Sequence, residues 1–143
     1  MPSFDDHAHS AAAPEDVWQL LYDPGRFPEW WAGIGSVDPA PDAQPDRYTM
    51  YPDGYPDFPM PQTLRTDRHD RRVIISCLIS DLRFEWRLVP APSGTDIHVH
   101  VELPDTEAAR LETQRRIVRD SVSALAALAA GGHHSAGSAS PRA

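Results

Sequence analysis

The stretch His7–Ile34, HAHSAAAPEDVWQLLYDPGRFPEWWAGI, decides how the rest of the chain is read. It opens on the end of a weakly alternating segment, residues 3–11, that predicts a first strand. Pro14 then suits the first turn of a helix, and Glu15 and Asp16 sit at that helix's positive end. Val17, Leu20 and Leu21 share one face at helical spacing, with Trp18 beside them. Asp23-Pro24-Gly25 stops the helix, and Phe27–Trp31 fits a second short helix ending near Gly33 and Gly35.

Downstream the pattern changes twice. Residues 39–61 hold seven of the fifteen prolines, a density that excludes a central strand or a helix. Only Arg47–Tyr51 fits a short edge strand there. From Gln62 on, strand patterns dominate: Gln62–His69, Val73–Ile79, Leu82–Val89 and Thr95–Leu103, separated by the turn signals Asp70-Arg71-Arg72, Ser80-Asp81 and Pro90–Gly94. Regular hairpins of this kind predict one antiparallel meander. A long helix then runs from Pro104-Asp105 to about Ala130, roughly 38 Å at 1.5 Å per residue. Its apolar stripe is Leu111, Val118, Val122, Leu125 and Ala129, and Gly131-Gly132 is the expected stop. The order is strand, two short helices, strands, long helix, which is α+β, with the long helix as the cover for an apolar sheet face.

Composition bounds the function. A chain of 143 residues fits one domain, with residues 1–130 forming it and residues 131–143 a disordered tail. The formal net charge of −8 argues against nucleic acid and anionic membrane as partners. All thirteen basic residues are arginine, as codon bias in a GC-rich bacterium would give, so lysine Schiff-base chemistry has no residue to use. Cys77 is the single cysteine, which rules out an internal disulfide and a cysteine-based zinc site. The opening MPSFDDHAHS lacks a basic region and an apolar run, and no window approaches the roughly 18 apolar residues of a membrane span. A cytoplasmic protein without stable membrane association is the expectation. No phosphate loop, dinucleotide fingerprint or Gly-X-Ser-X-Gly motif occurs, so no cofactor and no nucleophilic triad are expected.

The stretches Ala13-Pro14-Glu15-Asp16-Val17-Trp18 and Asp23-Pro24-Gly25-Arg26-Phe27-Pro28-Glu29-Trp30-Trp31, with Gly94-Thr95 before the last strand, resemble the SRPBCC superfamily. That group includes START lipid-transfer domains, the pollen-allergen family and polyketide cyclases, and the resemblance is to its polyketide cyclase/dehydrase-like group. It implies a helix-grip fold over about residues 3–130, a curved antiparallel sheet wrapped on the long C-terminal helix around a cavity. It also implies a hydrophobic or aromatic small molecule as partner, held by a monomer or homodimer. Three roles follow from the resemblance: a metal-independent cyclase or dehydratase acting on a polyketide-like substrate, a non-catalytic carrier of a lipid, quinone or pigment precursor, and a docking module of the Hsp90-activator type.

Strand alternation assigns the inner face to Leu64, Thr66 and Arg68, then Val73, Ile75, Cys77 and Ile79, then Phe84, Trp86 and Leu88, then Ile97, Val99 and Val101. Such an apolar wall either fills a core or holds a greasy ligand. Ligand contacts are assigned to Trp31, Tyr51, Leu64, Thr66, Cys77, Phe84, Trp86 and Val99, with Gln114 and Val118 from the long helix. Tyr48, Met50 and Tyr51 are placed as a gate on the proline-rich lip. By the resemblance, an inward Arg68 would hold an enolate or carbonyl oxygen, while the competing reading leaves it in solvent near a strand end; Arg65 takes the role if the register slips by one. His9, if inward, would move a proton. His7-X-His9 and His98-X-His100 lie on strands that are neighbours in this fold, and alternation sends them to opposite faces, so no metal site is expected.

Overall fold

The structure is a computed structural model, and it describes residues 2–38 and 46–138, with side chains through Gly131. Seven strands form one antiparallel sheet in the order β1-β7-β6-β5-β4-β3-β2. They are β1 (Ser3–Ser10), β2 (Ile34–Asp38), β3 (Arg47–Pro52), β4 (Met60–Asp67), β5 (Arg72–Cys77), β6 (Arg83–Ala91) and β7 (Gly94–Glu102). Helix α1 (Pro14–Leu21) and a 3-10 turn (Pro24–Glu29) follow β1; a second 3-10 turn (Asp105–Arg110) leads into α2 (Leu111–Ser138). This is the helix-grip architecture, a curved sheet closed around a long C-terminal helix.

Local chemistry places each joint. Pro14 opens α1, whose inner face buries Val17, Trp18, Leu20 and Leu21. Asp23 then accepts a hydrogen bond from the Gly25 amide at 2.9 Å and so starts the 3-10 turn. At the β6–β7 hairpin, Gly94 has φ of 141°, and a Cβ there would lie 2.0 Å from the Ser10 carbonyl oxygen. Only glycine lets β7 pass this close to the end of β1. Three hydroxyls pin the layers: Ser10 Oγ donates to the Ala126 carbonyl, Thr95 Oγ1 to the Ala12 carbonyl and Ser121 Oγ to the Ile117 carbonyl while accepting from the Ala32 amide.

The core lies where α1, the first 3-10 turn and α2 sit on the sheet. Trp86, Ile97, Val99 and Val101 from β6 and β7 meet Val118, Val122 and Leu125 of α2, all essentially sealed from solvent. Trp30, Trp31, Phe27 and Trp86 interlock, with Trp30–Trp86 centroids 5.2 Å apart and Trp31–Trp86 5.3 Å apart, both edge-on. Helix α2 packs on β1 and α1 and more lightly on β7. Among the described residues its packing on β3, β4 and β5 is slighter still.

Four expectations are corrected. The long helix begins as a 3-10 turn over Asp105–Arg110 and runs past Gly131-Gly132 to Ser138; glycine lowers helix propensity without forbidding the helix. The tail beyond Ser138, like residues 39–45 of the proline-rich lip, lies outside the described residues. A further strand, β2, pairs with β3 where the sequence shows no clear signal. Along β1 it is Phe4, Ala8 and Ser10 that turn inward, which sends His7 and His9 outward. The strand ends at Ser10 and not at Ala11, so counting back from the Ala-Pro exit shifts the register by one residue and reverses both faces.

Candidate functional site

Between strands β3–β6 and the start of α2 lies an open cavity of about 280 Å³. Trp31, Ile34, Met50, Met60, Leu82, Phe84, Leu103 and Ile117 make most of its wall, so the wall is largely apolar. Tyr48 from β3, Gln62 from β4, Cys77 from the end of β5 and Gln114 from α2 enter it as buried polar groups. Asp53, Tyr55, Glu107 and Arg110 stand at the rim, where Arg110 pairs with Glu107 at 3.5 Å. Two hairpin tips border it with exposed apolar side chains, Tyr55 and Phe58 on one, Leu78 and Ile79 on the other.

The buried polar groups are short of partners. Gln62 donates one long bond of 3.3 Å to the Met60 carbonyl. The side chains of Tyr48 and Gln114, residues at 4% and 9% exposure, make no hydrogen bond to another described residue. Among the described residues, the polar side-chain atoms both sealed from solvent and unbonded are Trp18 Nε1 and Trp86 Nε1. The polar atoms of Tyr48 and Gln114 therefore meet open space, and the cavity is the space they line. Burial, helped by the neighbouring Cys77, pushes the Tyr48 phenol well above its ordinary pKa, so it keeps its proton for donation to whatever enters the cavity. No charged side chain is among the buried described residues.

Sequence reasoning assigned ten ligand contacts, and the structure divides them. Trp31, Cys77, Phe84 and Gln114 line the cavity. Leu64, Trp86, Val99 and Val118 are buried in the packed core beside it. Thr66 is exposed near the end of β4, and Tyr51 turns to the other side, donating to the Asp38 carboxylate at 2.8 Å. Gln62 escaped notice although it shares the parity of Leu64, and Tyr48, assigned to a lip, is part of the wall.

Both assigned catalytic residues stand elsewhere. Arg68 lies past the end of β4, where alternation no longer constrains it, and its exposed guanidinium pairs with Glu15 at 2.6 Å. Ile79 is exposed for the same reason, beyond the end of β5. His9 is on the outer face of β1, with Nδ1 2.8 Å from Asp96 and Nε2 3.1 Å from the Ser93 hydroxyl. That bonding order is the one hydrolase triads use, but it lies in solvent on the sheet face opposite the cavity. The two histidine pairs share this outer face, with His7 opposite His98 in register and their rings 6.1 Å apart. Opposite faces were expected, and the shifted register of β1 is the cause. Among the described residues, no group of three or more His, Cys, Asp or Glu is placed to hold a metal ion.

A curved sheet gripping a helix beside an apolar cavity defines a class of small-molecule-binding folds. Within it, residues 1–130 match the family described as polyketide cyclase / dehydrase and lipid transport, and the chain belongs to that family. Solved structures agree on the fold. One domain of the di-domain ARO/CYC BexL from the BE-7585A biosynthetic pathway superposes with a TM-score of 0.74 at 14% identity, covering 88% of this chain and 45% of that one. A protein from Nitrosospira multiformis reaches 0.73 at 16% identity over 93% of this chain and 99% of its own. The AHSA1-like protein from Aeromonas hydrophila reaches 0.65 at 15% identity, covering 92% and 94%. A search of curated proteins finds no match. Among the described residues, no helix is long and apolar enough to cross a membrane.

Proposed function

We propose that this protein binds a small, apolar or aromatic, partly oxygenated molecule in the cavity between β3–β6 and the start of α2. The observation that carries the reading is the cavity of about 280 Å³ with its mostly apolar wall and its few unpartnered polar groups. That combination is typical of small-molecule sites, where apolar area supplies affinity and a few polar atoms fix orientation. Binding or carriage of such a molecule is the primary reading, because Arg68 and His9 both lie outside the cavity.

A cofactor-free cyclase or dehydratase is the second reading, favoured by the Tyr48 phenol in the wall. There the cavity would fold the substrate chain, so that orientation lowers most of the barrier. Tyr48 would donate a hydrogen bond to the oxygen on which enolate charge develops, without losing its own proton. Ring closure of a poly-ketone would break a C–H bond next to one carbonyl and form a C–C bond at another, with the proton ending on the new alkoxide. The first test is native mass spectrometry of protein from its own host, with extraction of bound compounds. A co-purifying apolar compound supports the binding reading and supplies a substrate to assay; Tyr48→Phe should then slow turnover by clearly more than it weakens binding if the protein is a catalyst. A protein that arrives empty and takes up no polycyclic or lipid probe refutes both readings.

A further inference from the structure

The polar groups of the cavity say more than that a ligand binds. Tyr48, Gln62 and Gln114 enter from two strands and a helix, and all three are at least nine-tenths buried. The side chains of Tyr48 and Gln114 make no hydrogen bond to a described residue, and that of Gln62 makes one long bond. Polar atoms that meet the open space of a cavity are completed there by a ligand or by water. Together they present N–H and O–H donors and two carbonyl acceptors to the same space. The charged groups nearest the cavity, Asp53 and the Glu107–Arg110 pair, stand at its rim. Arg110 is largely exposed there and paired with Glu107, and the buried wall itself holds no charged side chain.

We propose that Tyr48, Gln62 and Gln114 form an uncharged hydrogen-bonding clamp that selects neutral ketones and phenols and rejects the corresponding carboxylates. The proposal rests on the binding reading above and narrows its ligand class. A carboxylate entering this wall would lose its hydration and meet dipoles only, which costs far more than moving a ketone. A carbonyl oxygen, in contrast, can take hydrogen bonds from the phenol and a carboxamide, and a hydroxyl can return one to a glutamine oxygen. The clamp predicts selection by charge and not by ring size alone.

Three probes of one ring system test this: naphthalene, 2-acetylnaphthalene and 2-naphthoate, titrated at pH 7 by quenching of tryptophan fluorescence, since Trp31 is in the wall. The ketone should bind at least about tenfold more tightly than the carboxylate, a difference of about 1.4 kcal/mol. Gln114→Leu and Tyr48→Phe should each lower ketone affinity about three- to tenfold and leave naphthalene affinity equal or higher. Gln62→Leu should act likewise if circular dichroism finds it folded, and the other two variants carry the test if it is not. Naphthoate binding as tightly as the ketone, or an unchanged ketone-to-naphthalene ratio in the variants, overturns the clamp while naphthalene binding keeps the cavity reading intact. Failure of all three probes to bind overturns both.

Discussion

The two ends of one sheet face have the same kind of sequence and opposite fates. At the β6–β7 end, Trp86, Ile97, Val99 and Val101 are buried in the core with α1 and α2, and none of them lines the cavity. At the β3–β5 end, Tyr48, Met50, Gln62 and Cys77 face a void of about 280 Å³. Both sets alternate correctly along their strands. What differs is the cover: α2 packs along β1, α1 and β7, and of its residues only those near its start, Gln114 and Ile117, reach the cavity beside β3 to β5. A cavity here is a consequence of how one rigid helix crosses a wide, curved sheet.

The comparison can be broken at its filled end first. Gly94→Ala should have the largest effect, a loss of at least about 3 kcal/mol or failure to fold, because the new Cβ would collide with the Ser10 carbonyl and the residue sits at positive φ. Urea denaturation measures it, and a loss below that of an ordinary surface substitution would mean that β1 and β7 do not meet as described. Trp86→Ala should cost about 3–5 kcal/mol, whereas Phe84→Ala, which only enlarges an existing void, should cost visibly less. Equal losses in the two variants would remove the distinction between a packed and an open end.

Smaller effects sharpen the contrast along α2 itself. Ser10→Ala and Ser121→Ala remove hydroxyls that bond backbone groups at the filled end, so each should cost about 1 kcal/mol. Gln114→Leu, at the open end of the same helix, should change stability by less than about 0.5 kcal/mol, or raise it, because no protein hydrogen bond is lost. A thermal melt series of the three variants decides between a helix used uniformly for packing and one whose start serves the cavity.

The smallest expected effect belongs to the outer face. Asp5, bonded at 2.8 Å, and Glu102 raise the His100 pKa above its ordinary 6.5. A folded pKa above the unfolded one means that the stabilisation is fully present below about pH 6.5 and fades as pH rises through the elevated folded value. Asp5→Asn should bring the His100 titration, followed by NMR, back towards 6.5 and remove most of that slope. The cavity probes should be indifferent to this substitution, since His100 points away from the cavity.

Much of the fold was legible in the chain. Pro14 with its acidic first turn, the Asp23-Pro24-Gly25 stop of α1 and the hairpin signals around Asp70, Ser80 and Gly94 act through local backbone preferences and mark their joints, whereas the short helix expected over Phe27–Trp31 is a 3-10 turn over Pro24–Glu29. Strand parity for β5, β6 and β7 was legible as well, because their apolar runs are long. Short or weakly patterned segments were not: β1 lost its register by one residue, and with it His7 and His9 changed faces. Arg68 and Ile79 were misplaced because alternation was carried past the strand ends at Asp67 and Cys77.

By itself, the sequence determined that an apolar sheet face and a long amphipathic helix must meet, and which residues of β5 to β7 would turn towards that meeting. Periodicity decides this, because side-chain direction repeats every two residues in a strand and every 3.6 in a helix. Only the tertiary structure decided which inward residues became core and which became wall. Leu64 and Gln62 are two residues apart on one strand, yet one is packed and the other looks into open space. What packs over the strand separates them, and that is set by the shapes of many side chains packing at once, which no local pattern records.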